Sequence, residues 1–154
     1  MFELIRFGFA TAFLLLVCTA CQEVKDIPDL GDPLPNNYIS TNRMVHVDAL
    51  KLKKAYELYV NGIEYLYAID DKSRIMFMST EDPLFTTVSG IKVGLTYNKV
   101  KEKVSSALKY EKGWAHYLES DSLSDWCIAF HSGSADSLTG HEQVKFFFKR
   151  IEEK

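Results

Sequence analysis

Leu50-Lys51-Leu52-Lys53-Lys54-Ala55-Tyr56-Glu57-Leu58-Tyr59-Val60-Asn61-Gly62-Ile63-Glu64-Tyr65-Leu66-Tyr67-Ala68-Ile69 is the stretch on which the fold turns. Leu50, Leu52, Tyr56, Leu58 and Val60 occupy even positions, with Lys54 the exception, while Lys51, Lys53 and Glu57 interrupt the odd ones. Alternation at period two argues for a strand. A helix over 48–60 is the competing reading, because Leu52, Tyr56 and Tyr59 also fit a helical stripe. Asn61-Gly62 favours the strand, since both residues accept the left-handed backbone of a two-residue hairpin turn. Such a turn pairs Val60 with Ile63, Leu58 with Tyr65 and Tyr56 with Tyr67, three apolar pairs on one face.

Asp70 to Ser73 turns the chain into Arg74-Ile75-Met76-Phe77-Met78-Ser79, which is apolar on both faces and therefore covered on both sides. Residues 80–90 form a structured excursion, and Ile91 to Val93 offers a short edge strand. Thr96 can cap a helix over about 96–108, in which Tyr97, Val100, Val104, Ala107 and Leu108 share one face. Three more strand-like runs follow: 113–118, 126–131 and 143–151. The expected fold is α+β, an antiparallel sheet of about six strands packed on one amphipathic helix.

Toward the N-terminus, Pro28, Pro33 and Pro35 stand among Gly31 and several aspartates, a composition that predicts a flexible linker over 21–42 ahead of a single domain over 43–154. The start of the chain has three parts: a charged opening with Arg6, an apolar run of about 14 residues from Phe7 to Ala20, and small residues at its end. That is the layout of a signal peptide over 1–20, and the run is shorter than the roughly 20 residues of a spanning helix. Leu16-Val17-Cys18-Thr19-Ala20-Cys21 resembles the bacterial lipobox, with Cys18 where that family usually has Leu. The resemblance implies cleavage before Cys21 and acylation of that cysteine by chains such as palmitate, which anchor a protein stably when two or more are attached. Gln22 stands where inner-membrane retention signals resemble one another in having aspartate, so the outer membrane is the expected location.

The remaining chain is long enough for one cored domain and not for two. Its cysteine usage provides no internal disulfide, so its sixteen aromatic residues (6 Phe, 8 Tyr, 2 Trp) must build the core. The net charge of −3 argues against nucleic acid as a partner.

No nucleophile elbow, phosphate-binding glycine loop or dinucleotide fingerprint is present. Cys127 lies inside Trp126-Cys127-Ile128, where burial raises a thiol's pKa, so a pairing with His116 or His131 is a poor nucleophile and base. His46, His116, His131 and His141 lack metal-ligand spacing, and the acidic clusters lack a calcium loop's alternation. The sequence therefore predicts no cofactor, no metal and no catalytic residues.

Gly90-Ile91-Lys92-Val93-Gly94-Leu95-Thr96-Tyr97-Asn98-Lys99-Val100 resembles the strand-to-helix entry of small envelope lipoproteins of the barrel-assembly accessory type and of beta-lactamase-inhibitor-like domains. With Asp82-Pro83-Leu84-Phe85 it also resembles small uncharacterised bacterial lipoproteins. The absence of catalytic motifs, the aromatic content, and loops such as Glu81 to Gly90 and Ser132 to Glu142 that a rigid sheet can present favour a non-catalytic binding, inhibitor or assembly module with an envelope protein as partner. Phe85, Trp114 and Tyr117 are the candidate binding surface. The alternative is an envelope hydrolase with a carboxylate or histidine site.

Overall fold

The computed structural model of the chain describes residues 26–119, 125–130 and 138–152. Eight strands, β1 Ile39–His46, β2 Leu52–Val60, β3 Ile63–Ile69, β4 Ile75–Thr80, β5 Leu108–Glu111, β6 Ala115–Leu118, β7 Cys127–Phe130 and β8 Val144–Arg150, form one sheet. Their order is β1-β2-β3-β4-β8-β7-β6-β5, and each neighbouring pair is antiparallel. The last strand thus lies in the middle, between β4 and β7.

The β2–β3 hairpin has the register that the apolar alternation demands: Val60 opposes Ile63, Leu58 opposes Tyr65 and Tyr56 opposes Tyr67. Asn61 and Gly62 both sit at positive φ, 53° and 80°, as a turn matched to the twist of its strands requires.

The expectation of six strands on an amphipathic helix is corrected. Eight strands form the sheet and α1, Tyr97–Lys101, is only five residues long. Val100 and Val104 are buried as a helical stripe would have them. The chain nonetheless leaves the helix after Lys101, where the N–H groups of both Lys103 and Val104 bond to the carbonyl of Val100. Ser105 and Ser106 are weak helix formers, since their hydroxyls compete for nearby backbone groups. Leu108 reaches the same core from β5, opposite Leu118. The apolar spacing over 96–108 therefore combines a single helical turn with the start of a strand. β1 and β5 are the two additional strands, and Ile91 to Val93 contributes only an isolated bridge between Lys92 and Thr86.

Both faces of the sheet are covered. On one, Tyr65, Tyr67, Leu118, Phe130 and Phe147 pack beneath Phe85, Ile91, Val100 and Val104 from residues 81–104. On the other, Phe77, Tyr117, Ala129 and Phe148 pack with Val47 and Trp114. β4 is buried at all six positions, because it faces both layers. The proline-rich stretch is held against the sheet: Gly31 N–H donates to the Ile75 carbonyl at 2.8 Å, Ile75 N–H donates to that of Asp32 at 2.9 Å, and Leu30 and Leu34 pack on the core. Ordered structure thus reaches into residues that the proline content assigns to the linker.

Candidate functional site

Two hairpin ends meet over the second face. In the turn between β1 and β2, Val47 N–H bonds to the Lys51 carbonyl at 3.0 Å and the Asp48 carboxylate accepts the Leu50 N–H at 2.8 Å. In the turn between β5 and β6, Trp114 N–H bonds to the Glu111 carbonyl at 3.0 Å. Ala49 N–H of the first turn donates to the Glu111 carboxylate of the second at 2.8 Å, which closes a clasp across the face.

Arg150, at the end of β8, locks this clasp from below. Its Nη2 lies 2.9 Å from Glu111 Oε2 and donates to the Tyr117 hydroxyl at 3.2 Å, and Nη1 reaches the Val47 carbonyl at 3.5 Å. The guanidinium stands 4.9 Å above the Trp114 ring, with Tyr117 at 5.5 Å and Phe148 at 5.7 Å. A planar cation with several donors suits a site that offers a carboxylate edge and ring faces together. Burial alone would lower its pKa, and the hydrogen-bonded Glu111 carboxylate outweighs that and holds the guanidinium above its ordinary value. Burial also pushes the Tyr117 hydroxyl up, opposed in part by Arg150.

Beside the clasp lies a hollow of about 600 Å³, lined among others by Val47, Leu50, Met76, Ile151 and Glu152. A second hollow of about 290 Å³ shares Arg150 and Glu152 with it and adds Asp29, Asp125 and Lys149. Leu50 is 97% exposed on the rim of the first, the most exposed large apolar residue described. At a smaller hollow near Pro83 the arginine is already paired, with Arg43 Nη1 3.0 Å from both Glu57 and Glu64.

The structure brings Trp114 and Tyr117 together at 6.0 Å, under Arg150. Phe85 lies in the core of the opposite face, 5.0 Å from Trp126 and 4.9 Å from Phe147, and both it and Tyr117 are only 6% exposed. The three rings therefore do not share a surface. His116 is buried and stacks on Tyr110 at 4.4 Å, and half-buried Cys127 borders the second hollow. Cys21 and His131 fall outside the described residues. Among the described residues, no group of three His, Cys, Asp or Glu is placed to hold a metal, and no helix is long and apolar enough to cross a membrane. Leu50, Glu111, Arg150 and Glu152 carry the clasp and its hollow without a sequence motif to announce them. The one signal was a pair of bases, Lys149-Arg150, ending the apolar run Phe146-Phe147-Phe148.

The architecture defines this as an antiparallel sheet protein with a C-terminal strand inserted at the centre and a clasped second face. Among solved structures it is similar to the crystal structure of the uncharacterized protein yfeY from Escherichia coli, with a TM-score of 0.50 at 12% identity, covering 74% of this chain and 81% of that one. At that identity the likeness is one of fold alone. No family model and no curated protein matches the chain.

Proposed function

We propose that this chain is an envelope lipoprotein, cleaved before Cys21, acylated there and held at the outer membrane, whose sheet domain is a non-catalytic docking module for an envelope protein. The lipobox-like Leu16 to Cys21, closing an apolar run too short to span a bilayer, supports the anchor. Docking rests on one observation: Leu50 stands 97% exposed beside a hollow of about 600 Å³, on a turn fixed by Glu111 and the Asp48 cap. A turn whose backbone is already fixed at the rim of a concave surface has less conformational freedom to lose when a partner covers its apolar side chain.

The test compares affinity capture from detergent-solubilised envelope on the full chain with capture on the double variant Leu50→Ser, Ile151→Ser. Both side chains are exposed, Ile151 by 46%, so the variant should fold as the parent does. Burying two such side chains contributes about 3 kcal/mol, a loss of roughly 100-fold in affinity when they are removed. A single stoichiometric protein retained by the parent and lost from the variant is the expected result. Equal retention by both, or none by either, would contradict docking at this hollow.

A further inference from the structure

We propose that the clasp hollow takes an extended segment of the partner that carries lysine or arginine side chains between apolar ones; this deepens the docking reading above and rests on it. The two hollows adjoin at Arg150 and Glu152 about the end of β8, so an elongated occupant reaches both where a compact one fills only one. Their lining is apolar where Val47, Met76 and Ile151 contribute.

The charges around this lining are unequal in their availability. Arg150 is turned onto the rings and compensated by Glu111 at 2.9 Å, with only 17% of its side chain exposed. Lys149 is likewise turned inward, 13% exposed, 3.1 Å from Asp29 and 5.4 Å from the centre of the Trp126 ring. Asp125, by contrast, is 87% exposed and only loosely paired with Lys149 at 3.8 Å. Glu152 lines both hollows, and its charge acts on Arg150 at a distance rather than through a direct ion pair among the described residues. Asp48 adds a carboxylate that accepts the Leu50 N–H. Lys51 is the third base of this lining and has a partner of its own, so an incoming chain meets carboxylates at the rim while Arg150, Lys149 and Lys51 are already engaged. Complementarity calls for an occupant with positive side chains over an apolar stripe.

The test uses fluorescein-labelled short peptides in which leucine alternates with lysine, with serine or with glutamate, titrated against the full chain in mild non-ionic detergent and read by fluorescence anisotropy. The variant for comparison is Asp48→Asn with Glu152→Gln, because asparagine keeps the turn's hydrogen bond while both charges are removed. The lysine peptide should bind best, its affinity should fall about tenfold in the double variant, and added salt should weaken it. Should the lysine and serine peptides bind alike, the double variant bind the lysine peptide undiminished, or no peptide bind at all, the proposal is overturned. The docking reading would then still stand or fall on its own capture comparison, which depends on Leu50 and Ile151 and on no charge.

Discussion

Tyr67 carries a cost that a single atom can remove. It is fully buried, and its hydroxyl has no hydrogen-bond partner among the described residues. Burial also pushes that hydroxyl's pKa up, since the phenolate is worse placed there than the neutral form. An unmet buried hydroxyl costs about 1–3 kcal/mol, whereas the ring beneath it fills the core beside Tyr65. Tyr67→Phe should therefore raise the stability by about 1 kcal/mol, read as a higher midpoint in urea with an unchanged slope. A lower midpoint would show that the hydroxyl is bonded in solution and that the account of this side chain is wrong. At the same scale, aromatic content and a both-sided apolar β4 were legible in the sequence. The site residues were less so. Trp114 and Tyr117 do line up on one face, but the group that gathers them is Arg150, whose burial depends on Glu111 from a strand far away in the chain. An arginine at the end of a strand reads as a surface residue until that partner is placed. Phe85 looked like a loop-borne ring and proves to be a core plug, because its neighbours Trp126 and Phe147 come from other strands.

Among the elements, the β2–β3 hairpin was the most legible, since its register follows from adjacent residues and from the backbone that Asn61-Gly62 prefers. The helix over 96–108 was misread because periodicity reports which side chains face the core and not whether one element or two present them. β1 was obscured for a different reason: Ile39-Ser40-Thr41-Asn42-Arg43 has little alternation, and it pairs with β2 through a register shift between Ser40 and Met44. The segment ahead of it yields a prediction. Residues 29–34 make two backbone hydrogen bonds with Ile75 and set Leu30 and Leu34 on the core, and Asp29 meets Lys149. Two such bonds and two partly buried leucines contribute about 2–4 kcal/mol. A chain that begins at residue 36 should therefore be destabilised by that amount against one that begins at residue 26, measured by urea denaturation. Equal stability would show that this stretch is a tether with no part in the fold.

For the molecule as a whole, the sheet is complete only when β8 enters between β4 and β7, so the centre of the fold joins residues distant in sequence. That arrangement explains why strand alternation could supply most of the strands yet not their order. It also explains the two-sided burial of β4, which lies against β8 with one layer on each face. The docking reading requires this domain to be displayed from a membrane, and that requirement rests on Cys21. Intact-mass measurement of the protein extracted from a bacterial envelope tests it most directly. The expected product begins at Cys21 and carries acyl chains, with Cys21→Ser accumulating as the uncut, unacylated precursor. A wild-type chain that keeps residues 1–20, or one that starts elsewhere without acyl groups, would contradict it.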